Sequence, residues 1–551
     1  MDAYGTILRL TDDAIPHLLA ARFIDPAHRD RGGQIAPGKG FAEPSQSGKA
    51  AAALLAAYFC KDSRWRGDET LLDAAISALE FLLGRCHEDG SIDLVETNFH
   101  DCTSNGFTVQ ILAHTYRLLE REAGSQKERK AHGLVRAFLE NSARAMLSGG
   151  FHTPNHRWVV ASALSLCGRC LGDPECMALA KTYLSEGIDC DAEGDYTERS
   201  VGIYDAVNNE SLAIIASELD MPELYGHIGR NLEKNWYYTE PDMTCLTLAS
   251  RRQDYGKEAW MIHHFHGYYR AAIRTGDGRF AWMANRLLEQ MEKLRVGIGS
   301  PGEIGASLNH QDLLTRFLLD PPQSLPAEEP MPLCYERSFE GAGVVHRRSG
   351  NWTCSLLRDN STFMKVQNGS LKMYVKLACT FFQYGRLLPQ EISAIEGGWR
   401  LTGGAEHGYV KPLAGINQPD WWKIDRDSRE KANMQKHRWL VDVLFREDGL
   451  DMRVRTEGTP DIPVKLECIL PPGGLIRTGG VTAPALPGGW AIAGEPVIYD
   501  HGGERIGVSG GFNEHDYAPD MRNSDPAPAG RFCLYCTGFT PVDRVIKFDV
   551  L

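Results

Sequence analysis

The sequence predicts a multidomain α+β protein in which a helical half precedes an antiparallel β-sandwich. Two observations support this. A chain of 551 residues exceeds what one ordinary hydrophobic core supports, so two or three domains are expected. Near residue 320 the hydrophobic pattern changes from the period of helices to the two-residue period of strands. We therefore expect a helical catalytic domain over 1–320, a Pro-rich linker over 321–333 and a β-domain over 334–551.

The helical half is predicted from nine segments, each about one amphipathic helix long. In the segment after Pro154, Val159, Ala163, Leu166 and Cys170 recur at helical spacing and form one apolar stripe. The loops between the segments are rich in Gly, Asp, Asn and aromatic residues, which is typical of helical-hairpin arrays whose function lies on one rim. The nine segments are 46–60, 69–85, 104–122, 132–147, 157–171, 205–219, 222–235, 258–274 and 279–295.

The β-half is predicted from short apolar runs that alternate with turns. Runs such as WTCSLLRD and LKMYVKLACTFFQYG are rich in strand-forming residues, and Gly or Asn-Gly turns separate them. The pattern continues to VIKFDVL at the end of the chain. Its length predicts a sandwich of long antiparallel strands.

Composition excludes several classes of protein. With 59 Lys and Arg against 72 Asp and Glu, the net charge of −13 argues against a protein that coats nucleic acid. No run of 18 apolar residues is present, so we expect no membrane span. The first residues lack a basic segment followed by an apolar run, so we expect a cytoplasmic protein, or a periplasmic one if a leader was removed. Fourteen cysteines within apolar segments predict reduced, buried thiols.

Three loops of the helical half concentrate polar and ionisable residues. They span 87–107, 149–158 and 191–211, and the segments 250–255 and 263–269 add arginines and histidines. The candidate functional residues of these segments are Asn98, His100, Asp101, Asn155, His156, Arg157, Trp158, Glu198, Arg199, Tyr204, Arg251, Arg252, His263, His264 and His266.

The second and third loops resemble segments of toroid-type polysaccharide lyases, which include heparinase II/III-like enzymes and alginate lyases. Asn155 and His156, followed by a helix with Ala and Leu, are similar to the Asn-His segment of those enzymes. The run EGDYTERSVGIY (193–204) resembles the heparinase-type pattern of Asp-Gly, then Glu and Ser, then a catalytic Tyr, with Glu193 in place of the Asp. The resemblance covers nearly the whole chain and implies an N-terminal (α/α) toroid or incomplete barrel.

The resemblance also implies an activity: a carbon–oxygen lyase that cleaves a uronate-containing saccharide by β-elimination, without a cofactor. This reaction requires that the substrate carboxylate be neutralised, that a base remove the C5 proton and that an acid protonate O4. Asn155 would neutralise the carboxylate, helped by Arg199, and Tyr204 would be the acid. The base would be His156, Tyr204 or one of the three histidines at 263, 264 and 266. Further substrate contacts are expected from Asn98, His100, Arg157, Trp158, Glu198, Arg251, Arg252 and His264.

The same residues also permit structural explanations. Asn155 follows Pro154 and precedes a helix, where Asn is a favoured N-cap. His263, His264 and His266 lack both the HExxH spacing and a carboxylate partner, so we expect no metal site.

Two other functions are compatible with the sequence. A glycoside hydrolase would need a pair of carboxyl groups, which Asp101, Glu193, Asp195 and Glu198 could provide. A non-catalytic glycan-binding protein would stack sugars on tryptophans, with candidates at Trp158, Trp236, Trp260, Trp421 and Trp422. The expected partner is an acidic saccharide, with neither nucleic acid nor membrane, and a homo-oligomer is compatible with the sequence.

Overall fold

The computed structural model describes residues 2–36, 38–294 and 312–551, and within them twelve α-helices precede the first strand. The helices are α1 Ala3–Ala20, α2 Pro44–Phe59, α3 Glu69–Gly84, α4 Cys102–Glu122, α5 Gln126–Ser148, α6 Pro154–Leu171, α7 Pro174–Ser185, α8 Tyr204–Glu218, α9 Leu224–Tyr237, α10 Phe265–Thr275, α11 Gly278–Lys293 and α12 Leu313–Leu319. A short 3-10 helix, Met261–His264, leads directly into α10.

The helices form two concentric layers. The inner helices α2, α4, α6 and α8 pack each against the next, and α12 packs against both α2 and α4. Outside them, α3 packs on α2, α5 on α4 and α7 on α6. Helix α2 is buried without interruption from Ser47 to Tyr58, as expected for a helix of small and apolar residues that is covered on every side. The predicted (α/α) toroid is confirmed.

Local sequence fixes where several helices begin. The side chains of Asp68, Asp101, Asp173 and Asp277 accept hydrogen bonds from first-turn amides of α3, α4, α7 and α11. Each satisfies a backbone donor that the helix itself leaves unpaired.

Helices α1, α7 and α12 lie outside the nine segments that periodicity predicted. Helix α7 has 12 residues, of which only Cys176, Ala180 and Tyr183 are buried, so its apolar stripe is too short to stand out. Helix α1 contains Pro16, which is normally a sign against helix continuation.

The C-terminal half contains two large sheets, and the predicted β-sandwich is confirmed. One has the order β1-β2-β3-β4-β5-β10-β16-β13, the other β12-β11-β14-β15-β17-β9-β8-β7-β6, and every pair is antiparallel except β13 with β16. The strands are β1 Cys334–Phe339, β2 Val344–Ser349, β3 Trp352–Leu357, β4 Met364–Asn368, β5 Leu371–Cys379, β6 Glu391–Ile395, β7 Gly398–Val410, β8 Lys431–Arg446, β9 Gly449–Gly458, β10 Pro463–Leu470, β11 Leu475–Thr478, β12 Val481–Pro484, β13 Trp490–Ile492, β14 Val497–His501, β15 Glu504–Ser509, β16 Phe532–Phe539 and β17 Asp543–Val550. Buried side chains of both sheets, among them Val366, Leu377, Val441 and Leu450, form a single core.

The chain divides into two compact units, a helical one and a β one. The helical unit contains Met1–Thr239 and Met243–Met331, and the β unit contains Glu240–Asp242 and Pro332–Leu551. The chain therefore enters the β unit for three residues before it completes the helical unit. Residues 321–333 form neither helix nor strand.

The segment Glu240–Asp242 is held in the β unit by buried charges. Glu240 accepts hydrogen bonds from Thr353 Oγ1 on β3 at 2.5 Å and from Lys365 Nζ on β4 at 2.6 Å. Lys372 Nζ on β5 lies 2.9 Å from the Asp242 carboxylate. Since Glu240 is fully buried, its carboxylate depends on the donors Thr353 and Lys365 for the hydrogen bonds that water would otherwise supply.

All fourteen cysteines are free thiols, and Cys334 is the exposed one among them. In the described ranges, no helix is long and apolar enough to cross a membrane.

Candidate active site

The inner helices converge with their first turns on one cavity of about 310 Å³ in the helical unit. Six helices contribute, because α2, α4, α6, α8, α10 and α12 all begin at this end of the toroid. The lining side chains include Ser45, Gln46, Lys49, Asn98, Asp101, Ser104, Phe107, Gln110, His156, Tyr204, Glu210, His263, His266, Asp312 and Arg316. Six of the fifteen candidate residues thus share one cavity, namely Asn98, Asp101, His156, Tyr204, His263 and His266.

His156 lies in the first turn of α6 and is 9% exposed. Burial lowers its pKa to about 4, with Asp101 opposing this shift and His152 and Arg252 adding to it. The Nδ1 atom is buried without a hydrogen-bond partner, so Nε2 is the ring nitrogen that can reach a ligand. His156 is therefore a neutral imidazole at neutral pH, the form that accepts a proton.

Tyr204 is the first residue of α8 and is half-buried at the cavity wall. Its backbone amide donates to Ser200 Oγ at 3.2 Å, which fixes the turn into the helix. The guanidinium of Arg252 lies 4.8 Å from the centre of the Tyr204 ring. Among the described residues the Tyr204 hydroxyl has no hydrogen-bond partner, so it can bind a ligand.

Asn155, Glu198 and the half-buried Arg252 form a polar group that adjoins this wall through Tyr204, although none of the three lines the cavity itself. Asn155 Nδ2 donates to Glu198 Oε1 at 2.9 Å, and Arg252 Nε lies 3.2 Å from the same oxygen. Burial raises the pKa of Glu198, although the Asn155 hydrogen bond and Arg252 oppose the shift. Asn155 Oδ1 and Glu198 Oε2 are buried without partners. The N-cap of α6 is Thr153, so Asn155 does not have the capping role that its position suggested.

The third loop is anchored by a buried lysine. Lys234 Nζ on α9 lies 2.5 Å from Asp195 and 2.9 Å from Asp205 at the start of α8. Burial lowers the pKa of Lys234, but Asp195 and Asp205 outweigh it and raise that pKa. This bridge fixes the loop that carries Glu198 and Arg199.

A second charged cluster lies further inside the cavity. Arg316 pairs with Glu210 and, through Nε at 2.5 Å, with Asp312, while His266 Nδ1 lies 3.0 Å from Glu210. Each of these four groups has a hydrogen-bond or ion-pair partner within the cluster, so none is left unpaired. The neighbouring His263 is half-buried, and loss of hydration lowers its pKa to about 4.

Lys49 differs from that cluster because its ammonium makes no hydrogen bond or ion pair with any described residue. It lies on α2 and is 9% exposed. Burial lowers its pKa, with Asp312 and Glu43 opposing the shift. Asp101, by contrast, is occupied as the cap of α4, since its oxygens accept from Thr103 N at 3.1 Å and Ser104 Oγ at 2.8 Å.

Several predicted contacts lie away from the cavity. The exposed His100 stacks on His87 and binds Asp89. Arg251 is exposed, and its backbone amide holds the Glu198 carbonyl at 3.0 Å. Arg199 has a left-handed φ of 50° and lies 3.9 Å from Asp195.

Three more of the predicted contacts, Arg157, Trp158 and His264, pack inside the helical unit and do not line the cavity. Trp158 is fully buried and donates to Asp189 at 2.8 Å, and Arg157 lies over its ring. His264 is buried with Nε2 at 2.8 Å from the Val201 carbonyl, so His263 and His266, not His264, are the histidines of this segment that line the cavity.

Sequence reasoning missed Lys49, Glu210, Asp312 and Arg316. One signal for Lys49 was available, namely a single charge in the run of small and apolar residues GKAAAALLAAYF. Within the described residues, no three His, Cys, Asp or Glu side chains are grouped as metal ligands.

Comparison with known proteins identifies the fold. No protein-family model matches the sequence, and no curated protein sequence matches it. Among solved structures, heparinase III is similar with a TM-score of 0.56 and 10% identity, over 100% of this chain and 85% of that chain. A Streptomyces coelicolor chondroitin AC lyase in complex with chondroitin sulphate is similar with a TM-score of 0.54 and 12% identity, over 100% of this chain and 80% of that chain. A Paenibacillus xanthan lyase is similar with a TM-score of 0.55 and 10% identity, over 99% of this chain and 55% of that chain. The resemblance to toroid-type polysaccharide lyases is confirmed for the fold.

Proposed function

We propose that this protein is a polysaccharide lyase that cleaves an acidic, uronate-containing glycan by β-elimination. The observation that carries the proposal is that a neutral histidine, His156, and a tyrosine with a free hydroxyl, Tyr204, line the same cavity. Elimination needs a base and an acid on one sugar ring, and these side chains supply both. The similarity in fold to three polysaccharide lyases supports the same reaction class.

We assign the two proton transfers as follows. His156 accepts the C5 proton through Nε2, because its low pKa keeps it unprotonated at neutral pH. Tyr204 donates its hydroxyl proton to the departing O4. Either residue alone is expected to contribute about 10²–10⁴-fold to the rate.

Neutralisation of the substrate carboxylate is assigned to Asn155 and Arg252. Both contact Glu198, whose pKa is raised by burial. When a second carboxylate arrives, protonation of Glu198 relieves the repulsion and frees Asn155 and Arg252 to bind the substrate. Negative charge that develops next to C5 in the transition state is then met by fixed donors.

The test is release of a product with a C4–C5 double bond, detected as new ultraviolet absorbance. Substrates are alginate, glucuronan, heparin, hyaluronan, pectic and ulvan polymers, together with chondroitin sulphate and xanthan. With an active substrate, His156→Ala and Tyr204→Phe are each expected to lower kcat by about 10²–10⁴-fold. Tyr225→Phe is the matched control, because Tyr225 also carries an arginine over its ring, Arg274, yet does not line this cavity.

The same assay separates a lyase from the alternative glycoside hydrolase. Hydrolysis releases new reducing ends without absorbance and depends on two carboxyl groups. If Asp101→Asn or Glu198→Gln abolishes turnover while Tyr204→Phe is harmless, elimination is the wrong reaction. Because Asp101 caps α4 and Asn is an equally good cap, Asp101→Asn is expected to keep the fold.

A further inference from the structure

The charges on the inner part of the cavity wall are almost all compensated within the protein. Here "floor" denotes Lys49, Gln110 and Glu210, which line the cavity more than one turn into α2, α4 and α8. Glu210 pairs with Arg316 and His266, as described above. Gln110 Nε2 donates to Ser162 Oγ and Ser211 Oγ at 2.8 and 2.9 Å. Among the described residues that line the cavity, Lys49 is the charged one without a partner.

An unpaired ammonium on a side chain that is nine-tenths buried is unfavourable for folding. Removing a charge from water costs free energy that only a partner or a ligand returns, and burial correspondingly lowers the pKa of Lys49. Among the described residues, Asp312 just before α12 and Glu43 just before α2 are the carboxylates that act on Lys49, and neither forms an ion pair with it. The residues around Lys49 on α2 are small, so an uncharged side chain of the same length would fit there equally well.

We propose that Lys49 is the anchor for an anionic group of the saccharide, its ammonium binding a carboxylate or sulfate at the floor of the cavity. At about 310 Å³ the cavity falls at the lower end of the range of small-ligand pockets, and the anion would replace the water that Lys49 loses on burial. The identity of the ligand as a saccharide rests on the proposed function, whereas the preference for an anion rests on Lys49 itself. This assignment makes an acidic group at the floor a condition of tight binding.

Lys49→Met tests the assignment, because Met has a similar length and removes only the charge. The probes are sodium glucuronate and sodium sulfate, with glucose as the uncharged reference, and calorimetry measures binding to the full-length protein. Lys181→Met, which removes an exposed lysine from α7, is the control. Glucuronate is expected to bind the wild-type and Lys181→Met proteins more tightly than glucose does, and the affinity of Lys49→Met is expected to fall by about ten- to a hundredfold. Stronger binding of sulfate than of glucuronate would assign Lys49 to a sulfate group of the saccharide and not to its carboxylate.

The thermal midpoint separates a binding role from a structural one. The thermal midpoint of Lys49→Met should equal or exceed that of the wild type, since the substitution removes an unpaired charge from a mostly buried side chain. With an active polymer, the variant should raise KM with little change in kcat, the signature of a lost binding contact. The assignment is wrong if Lys49→Met binds glucuronate as the wild type does, or if neither anion binds better than glucose. If glucuronate binding depends on Lys49 but no polymer is turned over, the lyase proposal is wrong and the assignment of Lys49 as an anion-binding residue still holds.

Discussion

At the scale of single residues, the molecule keeps several histidines neutral by burying them. His156 and His263 in the helical unit, and His346 and His437 in the β unit, each have a pKa lowered to about 4, with burial as the largest cause. In the unfolded chain these groups titrate near 6.5. Between these values the unfolded state binds protons that the folded state does not.

The stability of the fold is therefore expected to fall as the pH decreases from about 6.5 towards 4. The stability that each such histidine contributes is fully present above 6.5 and is lost at up to about 1.4 kcal/mol per pH unit. Unfolding in urea at pH 7 and pH 5 measures this, and His156→Gln should reduce the slope while the exposed His17→Gln leaves it unchanged. A His156→Gln protein with the wild-type slope would contradict the neutral state of His156.

At the scale of elements, the loop before α8 depends on one close approach of backbone to backbone. Gly194 has a φ of 92°, and a Cβ there would lie 2.4 Å from the Arg230 carbonyl oxygen on α9. Only glycine combines this left-handed conformation with this contact at low cost. The position of Glu198, four residues later, depends on this packing.

Gly194→Ala is expected to destabilise the protein by more than Gly187→Ala does. Gly187 has a similar φ of 88° but nothing within 4 Å of its added Cβ, so it reports the backbone strain alone, about 1–3 kcal/mol. Urea unfolding of the two variants gives the difference, which is the cost of the clash with α9. Equal losses would show that the loop moves away freely.

The elements also show how far the sequence predicts this structure. Amphipathic periodicity located nine of the helices but not α1, α7 and α12. Loops two and three supplied His156 and Tyr204, which line one cavity. Lys49 and Glu210 were not found, because helices of an inner ring are buried on all sides and periodicity does not separate the side that packs from the side that lines a cavity. The Asn155–Glu198 hydrogen bond joins two loops 43 residues apart, a pairing that spacing within one loop does not reveal.

At the scale of the whole molecule, the three residues Glu240–Asp242 place a buried carboxylate in the β unit. Glu240 and Lys365 are both inside, at 0% and 5% side-chain exposure. Loss of one partner from such a pair is costly, whereas loss of both together is nearly neutral.

Lys365→Met is expected to lower the free energy of unfolding by about 3–5 kcal/mol. The double variant Glu240→Gln/Lys365→Met should recover most of that loss, which a double-mutant cycle in urea quantifies. For comparison, Lys411→Met breaks an exposed ion pair with Glu430 and should cost under about 1 kcal/mol. A double variant as unstable as Lys365→Met would show that the loss does not come from an unpaired Glu240 carboxylate.

The common direction of the inner helices has an electrostatic consequence. A helix carries a partial positive charge of about half a unit at its amino end, and the amino ends of α2, α4, α6 and α8 meet at the cavity. The protein as a whole, at −13, repels a polyanion at long range. Backbone dipoles thus attract anions at the cavity, an effect that the net charge of the side chains does not show. For the proposed acidic glycan, salt that screens the distant repulsion is therefore expected to speed arrival at the cavity, whereas salt slows the arrival of polyanions at a basic surface.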